Sequence, residues 1–404
     1  MKRETSMRDA QSTLDRPESR DGHAAGPHAA PRYYRPELDV LRFIAFLFVF
    51  MTHRTDLAPI DRAQHPWLHA FSQIGVYGVP VFFFLSAFLI TQLLERERDA
   101  TGRIDASAFY ARRILRIWPL YFFVFFGLVL LSHVLPGAGA DSPTKWLFFM
   151  LFAGNWYITF NGWIEYPVNP MWSLSVEEQF YIAIPWLASL GRRALVVVNV
   201  ALLAVSYAVI VYYARGFTPH SGFSGQWTNS FVHFQFFAGG MLLALVLRDR
   251  RPEWHIAIRA GLLACAVGLW LVASLVCEIK ADFPRSTVTQ SLVGWPLVLA
   301  GAALMLVAML GMPRRFLPGP LIYLGRISYG LYLIHIFFFW LVYDKFKPWL
   351  VQVCATAGLE AWRDDVGAVL AFAATVAVAS VLYRTVEMPF LRLKRRFTFV
   401  PSRD

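Results

Sequence analysis

The chain has 404 residues, of which 57% are hydrophobic and only 16% are charged, and its net charge is +11. Soluble domains carry about a quarter of charged residues, so this composition excludes an ordinary soluble protein. The 35 phenylalanines and 14 tryptophans are typical of lipid contacts and of aromatic belts at a membrane surface. The basic residues lie in short clusters between apolar runs. This pattern indicates membrane topology first and an anionic ligand second, rather than nucleic-acid binding.

The N-terminal segment, residues 1–36, is rich in Arg, Asp, Ser, Ala, Gly and Pro and has no apolar periodicity. It predicts a disordered cytoplasmic tail. The first apolar run follows only after this segment, so we interpret it as a membrane span and not as a cleavable signal peptide. The three cysteines have no metal-ligand spacing, and we expect no bound metal.

Ten apolar runs follow, each close to the ~20 residues that a spanning helix needs. They are 38–57, 74–94, 117–135, 172–190, 195–214, 229–247, 256–277, 289–312, 320–343 and 367–388. The sequence therefore predicts an all-α polytopic membrane protein with about ten transmembrane helices. We place its membrane domain at residues 37–390 and a basic cytoplasmic tail at residues 391–404.

The connections between these runs alternate in charge. The basic ones are 95–116, 191–194, 248–255, 313–316 and the C-terminal tail. The positive-inside rule then places both termini in the cytoplasm and the protein in the plasma (inner) membrane. An eleventh apolar run, 145–160, would put every later basic loop outside if it crossed the membrane. We expect it to be a re-entrant or interfacial segment, broken at Gly154-Asn155.

The first span carries two basic residues, Arg42 and His53, eleven positions apart. Eleven steps of 100° amount to three turns plus roughly 20°, so both side chains share one helix face, about 16 Å apart along the axis. A snorkelling anchor is the alternative interpretation of Arg42. For His53 we favour a catalytic role.

Polar residues inside the predicted spans are costly in lipid, so each is a functional candidate. At 1.5 Å per residue, His53 and His335 each lie about 22 Å from the cytoplasmic edge of their spans. Glu177 and Glu178 come to the same depth on a span of opposite direction, given a hydrocarbon core of ~30 Å. We therefore expect these side chains to meet in the outer half of the membrane.

Two further residues are pocket candidates because of their positions on these helices. Ser173 lies one turn before Glu177, and Tyr332 shares a stripe with His335. A histidine near a carboxylate can act as a general base. Interhelical hydrogen bonding is the alternative for Glu177 and His335. The pattern does not decide whether Glu177 or Glu178 faces the site.

A cluster of arginines, Arg112, Arg113 and Arg116, precedes the third predicted span. It is either a positive-inside anchor or a site for a phosphorylated donor at the inner face. The small residues of the run GVYGVPVFFFLSAFLIT, including Gly75 and Gly78, predict close helix packing.

Together these segments resemble the bacterial membrane acyltransferase-3 family, whose members O-acylate O-antigens, peptidoglycan, nodulation factors and macrolides. The resemblance covers residues 34–390. It consists of RPELDVLRFIAFLFVFMTH with its Arg-x10-His spacing, GVPVFFFLSAFLIT, RRILRIWPLY, WSLSVEEQFY, ISYGLYLIHIF and VEMPF. One departure is SAF where the family more often has SGF.

The resemblance implies a membrane O-acyltransferase that uses cytoplasmic acyl-CoA, most often acetyl-CoA, as donor substrate and has no bound cofactor. The acceptor is a hydroxyl of a carbohydrate or a related molecule, commonly at the outer face. The resemblance makes His53 the catalytic histidine and Arg42 its motif partner. It also assigns Arg112, Arg113 and Arg116 to the basic motif at the donor.

We therefore hypothesise that the arginines hold the CoA phosphates and that the pantetheine arm passes Arg42 to reach His53. His53 acts as a general base or carries the acyl group transiently, with its tautomer fixed by Glu177 or Glu178. A multi-pass transporter or exporter with a midplane polar site is the alternative, but no inverted repeat supports it. A non-catalytic membrane binding protein is a third possibility. The sequence does not identify the acceptor.

Overall fold

The structure, a computed structural model, describes residues 34–57, 60, 63, 65–216, 225–248, 250–281 and 286–398. Most of the predicted N-terminal tail and residues 399–404 of the predicted C-terminal tail lie outside these ranges. The described residues form α-helices and contain no β-strand. The helices are α1 (Pro36–Leu57), α2 (Pro66–Gln73), α3 (Gly78–Thr101), α4 (Ala106–Leu131), α5 (Pro143–Met150), α6 (Gly154–Asn161), α7 (Met171–Ser189), α8 (Arg192–Ala214), α9 (Ser230–Leu247), α10 (Ile256–Leu275), α11 (Val288–Met309), α12 (Gly319–Arg326), α13 (Ser328–Trp340), α14 (Lys347–Thr356), α15 (Arg363–Leu382) and α16 (Met388–Lys394).

These helices agree with the predicted all-α, multi-pass membrane fold. Among the described residues, seven helical segments are long and apolar enough to span a membrane, or eight if the bent pair α12 and α13 is one span. Helices α1 and α7 have 22 and 19 residues, long enough to cross. They fall outside the count because they carry several polar and charged residues. The predicted number of ten spans is therefore not confirmed.

Helix α1 packs against four other helices, α3, α11, α12 and α13. Its apolar residues, such as Leu41 and Phe46, are almost completely buried. The close approach to α3 depends on Gly75 and Gly78. A Cβ atom at Gly75 would overlap the backbone oxygen of Phe48, and one at Gly78 would overlap that of Ala45. The small residues of this run therefore serve close packing, as predicted.

The third predicted span begins earlier in the structure than the sequence indicated. Residues 95–116 were predicted as a basic loop, but α3 continues to Thr101 and α4 begins at Ala106. Gly102 ends α3 in a left-handed conformation with φ 76°. The Asp105 carboxylate caps α4 by accepting a hydrogen bond from the Ala108 amide at 3.0 Å. The predicted arginine cluster therefore lies on a helix and not in a loop.

A buried ion pair joins α3 to α4. Glu97 accepts a hydrogen bond from Arg112 at 2.7 Å and another from the Asp105 amide at 3.0 Å. The Glu97 side chain is only 4% exposed. Because a buried charge without its partner is costly, this pair fixes the hairpin of the two helices.

The predicted span 320–343 is broken. Helices α12 and α13 meet at Ile327 with a bend of 76°. Gly325, near the end of α12, packs directly on the backbone of Asp39 in α1. The predicted depth of His335 was counted from the start of one straight span, so it does not apply to the bent pair.

The apolar run 145–160 forms two short helices, α5 and α6. Each has eight residues and is about 12 Å long, too short to cross a membrane. The break lies at Leu151–Ala153, slightly before the predicted Gly154-Asn155, and Phe152 has a positive φ of 51°. Gln179 of α7 donates hydrogen bonds to the Phe152 oxygen at 2.8 Å and to the Asn155 side chain at 2.9 Å. Polar groups of the neighbouring helix thus satisfy the broken backbone.

The contact between α1 and α3 can be tested with two glycines. Gly78→Ala places a methyl group against the Ala45 backbone and should cost about 2 kcal/mol, because overpacking a tight contact forces the helices apart. Gly127→Ala on α4 meets no atom within 4 Å and should leave the stability unchanged or raise it. Thermal unfolding of the detergent-solubilised protein measures both. Equal effects of the two substitutions would contradict the packing role of Gly78.

The Glu97–Arg112 pair leads to a second prediction. Glu97→Gln should lower the free energy of unfolding by about 3 kcal/mol, because it leaves the Arg112 charge without its buried partner. Glu95→Gln is the matched control, since its pair with Arg98 is more exposed and should contribute less than about 1 kcal/mol. If both substitutions shift the unfolding midpoint equally, the pair does not fix the hairpin.

Candidate active site

Three neighbouring cavities follow α1 from its N-terminal to its C-terminal end. We call them the basic cavity (about 100 Å³), the middle cavity (about 90 Å³) and the histidine cavity (about 590 Å³). Arg42 lines the first two, and His53 lines the third. The middle and histidine cavities share Val79 and Tyr332 in their walls. The face of α1 that carries Arg42 and His53 therefore borders all three.

The histidine cavity contains His53 and His335, whose ring centres lie 5.3 Å apart. The prediction that His53 and His335 lie close together is therefore confirmed. Nδ1 of His53 lies 3.2 Å from an oxygen of Asp56 and 3.2 Å from the hydroxyl of Tyr166. Because a carboxylate only accepts, Asp56 favours the tautomer with hydrogen on Nδ1, which leaves the lone pair on Nε2.

Tyr166 lies in a short 3₁₀ turn before α7. Burial raises the pKa of its phenol, so the hydroxyl stays neutral at physiological pH. Together with Asp56, it holds the His53 ring from one side. The Asp56 side chain is 55% exposed, so its contribution is orientation more than electrostatic stabilisation.

Glu177 and Glu178 do not lie where the sequence placed them. Glu177 accepts a hydrogen bond from Tyr181 and lines the middle cavity, and Glu178 accepts one from Trp118 at 3.1 Å. The carboxylate at His53 is instead Asp56. Helix α7 begins at Met171, close to the predicted start at residue 172, but the carboxyl groups bond to Tyr181 on α7 and to Trp118 on α4 rather than to His53.

Ser173 and Tyr332 lie where the middle cavity adjoins the histidine cavity. Their hydroxyls are 2.7 Å apart, and both side chains are buried. Tyr332 also packs edge-to-face on Phe82 at 5.7 Å between ring centres. This hydrogen bond joins α7 to α13 at the boundary between the two cavities.

The middle cavity has a polar wall formed by α3 and α7. Ser86 and Tyr181 have hydroxyls 2.6 Å apart, and Tyr181 donates to Glu177. The guanidinium of Arg113 lies over the ring of Tyr181 at 5.4 Å from its centre. Ser86, predicted only as a small packing residue, thus belongs to a hydrogen-bonded group.

The basic cavity brings together cationic residues from three parts of the chain. They are Arg35, Arg42, Arg113, Arg116 and Lys394. Arg35 and Lys394 were not predicted as site residues. Lys394 lies in α16, which crosses the predicted boundary at residue 390 and packs against α4. Among the predicted arginines, Arg112 is instead held by Glu97 and donates to the Phe397 oxygen at 2.8 Å.

The residues that sequence reasoning missed differ in the signal that they offered. Asp56 follows His53 by three positions, so helical spacing alone would have identified it. Tyr166 and Lys394 gave no such signal, because only tertiary packing brings their segments to α1, whereas Arg35 directly precedes α1 in the sequence.

Known proteins are similar to this chain over most of its length. The family described as "Acyltransferase domain", the acyltransferase-3 family, matches residues 35–384. Peptidoglycan O-acetyltransferase OatA of Listeria monocytogenes is 24% identical over 386 residues, which is 89% of this chain and 56% of the relative. Putative peptidoglycan O-acetyltransferase YrhL of Bacillus subtilis is 29% identical over 75% of this chain and 48% of the relative. O-acetyltransferase OatA of Staphylococcus aureus is 25% identical over 93% of this chain and 60% of the relative.

The chain spans between 48% and 60% of the length of these relatives. No solved structure matches it. The family match covers the residues that line the middle and histidine cavities and most of those that line the basic cavity, except Tyr34 and Lys394. The chain therefore belongs to the acyltransferase-3 family.

Proposed function

We propose that this acyltransferase domain transfers an acetyl group from acetyl-CoA to a hydroxyl of a glycan, with His53 as the general base. One observation carries the proposal. A cationic cavity and a two-histidine cavity lie at opposite ends of α1, with a narrow polar cavity between them. Arg42 and His53 are about 16 Å apart along the helix, a span that suits an extended pantetheine arm.

The basic cavity is the proposed site for the phosphates of the donor. Guanidinium groups bind phosphate oxygens through paired hydrogen bonds, and lysine adds a point charge. Arg42, Arg116 and Lys394 come from α1, α4 and α16, so a bound phosphate would hold three helices together. We leave Arg112 out of this role because its guanidinium is engaged by Glu97.

The middle cavity is the proposed path of the pantetheine arm. Its walls combine apolar side chains, such as Phe82 and Ile117, with the hydroxyls of Ser86 and Ser173. This combination suits an arm that alternates methylene groups and amides. The cavity is narrow, about 90 Å³, so Tyr332 has to move when the arm enters the histidine cavity.

The histidine cavity is the proposed site of acetyl transfer and of the acceptor. Its volume of about 590 Å³ suits one or two sugar rings beside the acetyl group. Trp163 and Trp172 in its wall offer aromatic faces, and Trp163 is 37% exposed. The relatives are named as peptidoglycan O-acetyltransferases, so we propose a peptidoglycan-type glycan as acceptor.

The proposed reaction is a single acyl transfer, at the end of which His53 has returned to its starting protonation state. Nε2 of His53 removes the proton from the acceptor hydroxyl as its oxygen attacks the thioester carbonyl. The carbon–sulfur bond then breaks, and the CoA thiolate takes the proton back from His53. Asp56 and Tyr166 orient the ring during the transfer.

The proposal includes a membrane topology. We propose that α1 and α7 also cross the membrane, which gives ten spans with both termini in the cytoplasm. The basic loops favour this orientation by the positive-inside rule. It places the basic cavity at the cytoplasmic face, where acetyl-CoA is made, and the histidine cavity at the outer face of the plasma membrane.

The role of His53 can be tested in proteoliposomes with labelled acetyl-CoA and muropeptides. His53→Ala should lower kcat by about 100-fold or more, because it removes the general base. The control is His133→Ala, since His133 binds the Val129 backbone near the end of α4 and lines none of the three cavities. Transfer by His53→Ala at the wild-type rate would contradict the proposed mechanism.

The donor site leads to a prediction on α16. Lys394→Gln should weaken CoA binding about tenfold, because it removes one charged contact with phosphate. Arg392→Gln, two residues earlier on the same helix and exposed, is the matched control. Titration calorimetry of the detergent-solubilised protein at low and high salt measures both. An unchanged affinity of the Lys394 variant would remove α16 from the donor site.

A further inference from the structure

His335 is completely buried, and its tautomer is fixed by the backbone. Nδ1 lies 2.6 Å from the carbonyl oxygen of Tyr332, three residues earlier on α13. Because a carbonyl oxygen only accepts, Nδ1 carries the hydrogen. In the neutral imidazole, Nε2 then holds a lone pair and acts as an acceptor.

The surroundings of His335 keep its ring neutral. The ring packs against Phe46, Phe50 and Tyr332, with centres 5.6, 6.5 and 5.6 Å away. Among these contacts there is no carboxylate, in contrast to Asp56 at His53. A charge on His335 would therefore be desolvated without a compensating partner. The two neighbouring imidazoles have different environments, so we expect different roles.

Nε2 of His335 has no hydrogen-bond partner among the described residues. His335 lines the histidine cavity together with His53. A buried acceptor without a partner is costly, and such a group in a native structure calls for an explanation such as a functional role or a bound water or ion. The cavity that His53 lines therefore has a second histidine whose Nε2 can accept one more hydrogen bond.

We propose that His335 is a substrate-binding residue whose Nε2 accepts one hydrogen bond from the substrate and fixes it beside His53. This proposal rests on the proposed function. The group that donates to Nε2 is a neutral N–H or O–H. It belongs either to the amide of the pantetheine arm next to the thioester or to the glycan hydroxyl next to the reacting one. No proton is transferred to His335, which distinguishes it from the base His53.

Two substitutions separate binding from structure. His335→Asn keeps an N–H near the position of Nδ1, so the bond to the Tyr332 oxygen can persist, but it lacks an atom at the position of Nε2. His335→Gln can place its carbonyl oxygen near that position. We expect His335→Asn to lower kcat/KM for acetyl transfer to muropeptides at least tenfold. His335→Gln should recover most of this loss with an unchanged pH profile.

The Michaelis constants identify the source of the hydrogen. A raised KM for acetyl-CoA indicates the pantetheine amide, and a raised KM for the muropeptide indicates the glycan hydroxyl. Wild-type kinetics of His335→Asn would overturn the proposal and leave His335 a packing residue. Loss of activity in both variants would also overturn it, because it would indicate proton transfer at His335.

Substrate analogues keep the proposal testable if the variants do not fold. The wild-type protein is assayed with two substrate analogues. One is acetyl-CoA methylated at the pantetheine amide nearest the thioester, and the other is a muropeptide methylated at the hydroxyl next to the reacting one, which itself stays free. At least one analogue should lose tenfold or more in kcat/KM, and retention of full activity with both would overturn the proposal. If the wild-type protein transfers no acetyl group to unmodified muropeptides, the proposed function fails instead.

Discussion

The site depends on the close packing of α1 against α3. Glycines at the start of α3 bring the two backbones into contact, and the apolar faces of α1 are buried among α3, α11, α12 and α13. Arg42 and His53 therefore border cavities inside the protein rather than lipid. A polar passage through a helical membrane protein requires such enclosure, because lipid offers no hydrogen bonds to polar groups.

Ion pairing sorts the basic residues of α4 into two roles. Arg112 is neutralised by a buried glutamate of α3 and joins the helices, whereas Arg113 and Arg116, one turn or less away, line the cavities. Their neighbours Arg35 and Lys394 come from the two ends of the described chain. This cationic cavity therefore combines basic residues of α1, α4 and α16 with one basic residue that precedes α1.

The two histidines show how environment differentiates identical side chains. Both have Nδ1 beside an oxygen acceptor, so in the neutral ring the lone pair lies on Nε2. At His53 the acceptor is the carboxylate of the largely exposed Asp56 side chain. At His335 it is a backbone carbonyl, and the ring packs against aromatic side chains. The first arrangement suits proton transfer and the second suits neutral hydrogen bonding.

The sequence by itself determined the all-α membrane fold, the family and the shared face of Arg42 and His53, because these depend on apolar run length, motif order and helical periodicity. It also predicted that His335 would meet His53. Helical spacing puts Asp56 within one turn of His53, but only the tertiary structure showed that Glu177 bonds to Tyr181 in the middle cavity instead of to His53. It also decided that Arg112 is structural and that Lys394 belongs to the site. Charge partners and cavity walls depend on helix ends, bends and crossings, which no local pattern encodes.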